Sequence, residues 1–75
     1  MKISARNVLR GKVKSIRRGD INGEVVIEVA GGTEIVSIAT CSAIDDLKLE
    51  VGKEAFAVFE ATSTMVAIPH SKRGE

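Results

Sequence analysis

The 75 residues contain no tryptophan or tyrosine, two phenylalanines, one cysteine, one histidine and one proline. Each scarcity closes off a class of explanation. Cys41 has no second cysteine to pair with, and His70, the only other soft ligand, cannot complete a zinc site with it from a single chain. That histidine stands beside Pro69, far in sequence from any carboxylate pair, so histidine-centred acid–base or nucleophilic catalysis has no framework. The glycines occupy hairpin positions instead of preceding a helix, which removes phosphate-loop and dinucleotide-binding fingerprints. No apolar run approaches the ~18 residues of a membrane span, and the opening MKISARNVLR is too charged for the apolar part of a secretory signal. The expectation is a soluble, intracellular chain that is not an enzyme and carries no metal or cofactor.

Shortness sets a second limit. A domain of this size buries only about 60% of the surface its unfolded chain exposes. Disulfides, metals or partner subunits usually make up the shortfall, and with the first two missing the chain is expected to associate with copies of itself.

Charge is unevenly placed although the formal net charge is only +1. Lys2, Arg6, Arg10, Lys12, Lys14, Arg17 and Arg18 make the first eighteen residues purely basic, whereas residues 19 to 60 hold nine carboxylates against Lys48 and Lys53. A basic strand lying beside acidic ones accounts for most of this asymmetry without any ligand.

Hydrophobicity alternates with a period of two over most of the chain, the signature of half-buried strands. Val8 to Arg18, Glu24 to Val29 and Glu34 to Thr40 read as a three-stranded meander, with turns at Asn22-Gly23 and Gly31-Gly32. Ser42-Ala43-Ile44-Asp45 fits a loose capping box that opens a helix of about two turns through Leu47. After the break at Gly52, Glu54 to Ala61 and Thr64 to Ile68 resume strand character, and the polar residues 69–75 form a tail. The expected fold is all-β: a five-stranded OB-type barrel with one short helix between strands 3 and 4, in a single domain over residues 1–68. Gly11, Gly31 and Gly32 are expected at its bends.

Such a barrel raises single-stranded nucleic acid as a ligand, and Arg10, Lys12, Lys14 and Arg18 would suit a phosphate backbone. Recognition of that kind relies on aromatic platforms worth ~1–3 kcal/mol per stacked base. Only Phe56 and Phe59 are available, in an apolar strand where core packing is expected. Nucleic acid is therefore the runner-up. What remains is the compact polar opening Ser4-Ala5-Arg6-Asn7, where a hydroxyl, a guanidinium fork and an amide stand close enough to surround a tetrahedral oxyanion. An Arg6 paired with a carboxylate of another strand is the structural alternative.

Ile3-Ser4-Ala5-Arg6-Asn7, followed by Gly11 and Val13 in the pattern SARNxxxGxV, resembles the opening of Mop domains, the molbindin family of molybdate-binding proteins. Leu47 to Glu54 resembles the turn of that family and Ala61 to Val66 its final strand, so the similarity spans residues 1 to 68. The resemblance implies a cytoplasmic OB-type homo-hexamer, a trimer of dimers, that holds molybdate or tungstate at subunit interfaces to store and buffer it. No ATPase or DNA-binding domain accompanies the motif here, which is why storage is expected over transport or repression. A structural oligomer that has lost its ligand is a further alternative. Carried over by residue, Ser4 and Arg6 donate to the oxyanion, Ala5 and Asn7 complete the motif, and Ala61 and Thr62 offer backbone N–H groups. A partner subunit adds hydroxyls after its third strand. An ungapped match makes Thr40 the first of these and places Ala43 at the second, where the family often has serine. A shift of one residue makes Ser42 the second donor, although Ser42 also suits a helix N-cap. Glu60 stands where the family usually has lysine, reversing a charge beside a dianion.

Overall fold

The computed structural model describes residues 5–69. Four strands and one short helix follow in the order β1 (Asn7–Arg18), β2 (Asn22–Val29), β3 (Glu34–Thr40), α1 (Cys41–Asp46) and β4 (Glu54–Phe59), with single 3₁₀ turns at Ala30–Gly32 and Ala61–Ser63. The sheet order is β3-β2-β1-β4, with every neighbouring pair antiparallel. The twelve-residue β1 thus holds partners on both sides and sets the length of the fold.

Period-two alternation positions the core. Val13 of β1, Val25 and Ile27 of β2 and Ala57 of β4 turn to one side of the sheet, and Ile44 of α1 covers them. Val13 and Ile44 are each 1% exposed. The ladder between β1 and β2 slips between Val13 and Ser15. A bulge of this kind bends its strand and increases the local twist, which curls the sheet toward a half-closed barrel. Backbone bonds from Val13 N–H to Lys53 O (2.9 Å) and from Gly52 N–H to Val13 O (2.8 Å) tie the segment before β4 to the same bend.

Several expectations are corrected. Asn22-Gly23 is not the first turn: the chain reverses at Gly19 to Ile21, where Gly19 N–H donates to Asn22 O at 2.8 Å, and Asn22 and Gly23 open β2. Gly23 is needed for proximity, since a Cβ there would stand 2.7 Å from Ile44 Cδ1. Gly11 lies inside β1, away from any tight turn, and lets the Glu28 carbonyl approach to where a Cβ would meet it at 2.4 Å. The Gly31-Gly32 turn is as expected, both residues having φ near +86°. The helix cap lies two residues earlier than the capping box suggested, at Thr40 instead of Ser42. Finally, β4 ends at Phe59, and Thr64 to Pro69 joins no strand among the described residues, so the sheet has four strands and not five. Met65, Val66 and Ile68 are 92%, 91% and 81% exposed. Period-two apolar content is present there, but a strand also requires an edge to pair with, and this chain's own edges lack that pairing.

The unpaired edges, β3 and β4, flank an apolar groove of about 470 Å³ lined by Val25, Ile27, Ala39, Leu47, Leu49 and Ala55 among others. It lies between the two edges of the curled sheet.

Gly11→Ala forces the Glu28 backbone to move, and overpacking of this kind costs about 1–3 kcal/mol. Urea denaturation should show a lower midpoint with an unchanged slope.

Candidate functional site

The register between β1 and β4 sets Asn7 opposite Phe59. The ladder ends at that pair, whose residues are 52 positions apart, and the segments leaving it hold Ala5 and Arg6 on one side and Glu60, Ala61 and Thr62 on the other. Ser4 lies outside the described residues, as does His70. Arg6 is exposed and joins no ion pair among the described residues, so the structural alternative of an Arg6–carboxylate bridge is not found there.

The segment after β4 is shaped by its own hydrogen bonds. Glu60 O accepts from Ser63 N–H at 3.0 Å and from Thr64 Oγ1 at 3.1 Å, closing a tight turn. Within that turn the N–H groups of Ala61 and Thr62 have no acceptor among the described residues. Both residues are exposed, so water serves these two N–H groups, and an anion that displaced it would meet two adjacent donors.

The hydroxyl residues sit elsewhere. Thr40 ends β3 opposite Asn22, next to the Arg18 end of β1. At ~3.3 Å per residue, the length of β1 puts this group on the order of 30 Å from Arg6. Thr40 Oγ1 accepts from Ala43 N–H at 3.0 Å, which makes Thr40 the helix cap and engages the Ala43 amide. Ser42 therefore does not cap the helix; it is exposed in the first turn. Cys41, at the same place, donates its thiol to Gly19 O at 3.4 Å. The motif residues and the hydroxyl residues are thus not brought together within one chain.

The basic stripe is largely consumed by its neighbours. Arg10 Nε donates to Glu54 Oε2 at 2.6 Å, Arg18 Nη2 donates to Asp45 Oδ1 at 2.7 Å, and Lys14 pairs with Glu34. Hydrogen bonding to Glu34, reinforced by its charge, holds the Lys14 ammonium above its ordinary pKa, and Asp45 does the same for the Arg18 guanidinium. Since both shifts are upward, any stability they add is fully present at neutral pH and fades only as pH climbs through the shifted lysine and arginine range. These pairs are exposed, so each is worth little. Their consequence is electrostatic: three of the four cations proposed for a nucleic-acid backbone already have carboxylate partners. Phe59 is half-buried and Phe56 exposed, so of the two aromatic side chains expected in the core only one is partly there. Sequence alone could have shown the pairing of charges by strand adjacency; it had no signal for the Thr40 cap, because Ser42 with Asp45 matches the capping pattern better.

Comparison with known proteins bears on this arrangement. The TOBE domain family matches residues 3–66. A probable molybdenum-pterin-binding protein of Haemophilus influenzae is 52% identical over 68 residues, covering 91% of this chain and 99% of that protein. Among solved structures, MopII from Clostridium pasteurianum in an apo form superposes with a TM-score of 0.85 at 40% identity, covering 89% of this chain and all of that one. The cytoplasmic molybdate-binding protein ModG, with molybdate bound, gives 0.88 at 42% identity, over 92% of this chain and 49% of that one. These relatives are named for binding and not for catalysis. No helix among the described residues is long and apolar enough to cross a membrane.

The cap assignment has a direct check. Thr40→Ala should lower stability by about 1 kcal/mol, while Ser42→Ala should stay within about 0.5 kcal/mol of wild type, both read from chemical denaturation midpoints.

Proposed function

This chain belongs to the TOBE domain family, in its Mop or molbindin group of molybdate-binding proteins, and from that premise we propose that it binds molybdate or tungstate at interfaces between its own copies, storing and buffering the anion in the cytoplasm without catalysis. The single observation that carries the interfacial part is the separation of the two donor groups along β1. Ala5, Arg6, Asn7, Ala61 and Thr62 stand toward one end of the sheet, and Thr40 and Ser42 toward the other. A single tetrahedral anion only a few ångströms across can meet both groups only if they come from different subunits. Ser42 is the better second hydroxyl: Thr40 has taken over the capping role, and Ala43 has neither a side-chain donor nor a spare amide.

Assembly has further support. Among the described residues the β3 and β4 edges are unpaired, the groove between them is largely apolar, and Thr64 to Ile68 is exposed. In this reading the folding unit is residues 1–68 with residues 69–75 as a polar tail, and copies associate as a homo-hexamer, a trimer of dimers. Edge strands left open in this way are sites where another chain adds itself, and a core this small gains most from such closure.

Chemistry favours the proposed ligand. Molybdate is a tetrahedral dianion that holds no proton at neutral pH, so it needs donors and offers no hydrogen. Amide N–H groups, hydroxyls and one guanidinium can replace its water shell if every oxygen is satisfied. A site of donors alone disfavours hydrogen phosphate, whose retained proton would lack an acceptor. Sulfate, with the same charge, is distinguished by the smaller size of its shell of oxygens.

Calorimetry at neutral pH should register molybdate binding by wild type and none by Arg6→Ala. Co-assembly supplies the sharper test. Arg6→Ala chains and Thr40→Ala/Ser42→Ala chains, each deficient alone, should in equal mixture regain about a quarter of the wild-type sites if two subunits share each site. No recovery in verified mixed oligomers would show that one chain supplies both groups.

A further inference from the structure

Glu60 is the one carboxylate in the cluster at the Arg6 end, and nothing among the described residues neutralises it: the chain's ion pairs there are Arg10–Glu54, Lys14–Glu34 and Arg18–Asp45. The β1–β4 ladder ends at the pair Asn7–Phe59, and Glu60 and Arg6 each stand next in sequence to that pair, on the two segments that leave it. The Glu60 main chain is held by two hydrogen bonds to its carbonyl, and the donors it precedes, the N–H groups of Ala61 and Thr62, follow it without a break. Any anion that accepts from Arg6 and from this turn therefore lies within the field of the Glu60 carboxylate.

We infer that Glu60 is a specificity-determining residue that grades oxyanions by charge, weakening the binding of a dianion more than that of a monoanion of the same shape. This rests on the molybdate reading and refines it. Coulomb energy is proportional to the ligand's charge, so the penalty on a dianion is twice that on a monoanion, and the two fold-changes stand as a square. For an exposed carboxylate about 6 Å away in a water-like dielectric, the penalty is about threefold in affinity for a monoanion and about tenfold for a dianion. A site with this residue binds its dianion less tightly and releases it at a lower free concentration of competitor, as suits a reservoir that must give its contents back. A residue acting only through the fold would alter both anions alike.

The test compares molybdate with perrhenate, a tetrahedral monoanion, by calorimetry on the assembled wild type and on Glu60→Gln. The variant should gain about tenfold for molybdate and about threefold for perrhenate, and Glu60→Lys should extend both gains in the same ratio of logarithms. Binding by all proteins with equal gains for the two anions, or with no gain, overturns this inference and leaves the molybdate reading intact. Absence of binding by wild type and by both variants, while the oligomer persists, overturns the molybdate reading and this inference with it. If wild type is silent but the variants bind with the charge-graded ratio, the inference stands.

Discussion

The long central strand β1 is the constraint on which the rest depends. Its twelve residues pair with β2 along one side and with β4 along the other, so every other element takes its place from β1. One end of it pairs Asn7 with Phe59, the last residue of β4, beside the turn that follows; the other leads through a tight reversal into β2, whose first residue pairs with Thr40. A strand cannot fold back on itself without losing its ladder. The two groups of residues proposed as donors are consequently held apart by the same hydrogen bonds that stabilise the sheet, and a ligand needing both would draw them from two chains.

Burial and charge follow from that arrangement. The inward side of the sheet is closed by Ile44 over Val13, Val25, Ile27 and Ala57, and the bulge at Val13/Ser15 supplies the curvature that lets one short helix cover it. On the outer side the basic residues of β1 lie beside acidic residues of their neighbours, Lys12 opposite both Glu28 and Glu54, Arg17 opposite Glu24. Mutual neutralisation leaves a nearly balanced surface with Arg6 outside it. The asymmetry so visible along the chain is therefore an instruction for strand pairing more than an address for a polyanion.

Much of this was legible before the structure. Alternation in β1, β2 and β3 is strong because one face of each is buried, and Gly31-Gly32 marks a turn whose positive φ values only glycine adopts easily. The charge runs foretold which strands would adjoin. Other features were hidden because they depend on contacts distant in sequence. Gly23 resembles a turn glycine, yet its role is to make room for Ile44. Ser42 with Asp45 matches a capping pattern better than Thr40 does, and only the end point of the β3 ladder gives the cap to Thr40. Thr64 to Ile68 has the composition of a strand, but composition cannot reveal whether the partner edge belongs to the same chain. In the candidate site, the opening motif was readable from residue types, whereas its proximity to Glu60, Ala61 and Thr62 needed the register.

If sites are divided between subunits, ligand binding and assembly become one equilibrium. An anion that binds only the completed interface stabilises the oligomer by mass action, and by reciprocity the oligomer holds the anion more tightly than any isolated chain could. A small barrel with open edges is suited to this coupling, since much of its stability is left to its neighbours. Such a design also accounts for how so few charges suffice. In the proposed site a single guanidinium, Arg6 of one contributing chain, is aided by amides that the turn at Ala61 and Thr62 leaves without acceptors among the described residues, and surfaces that exclude water let each donor act in a lower dielectric than on a free chain. Glu60 remains exposed, so its charge acts on such a ligand through water and its effect stays graded by the ligand's own charge.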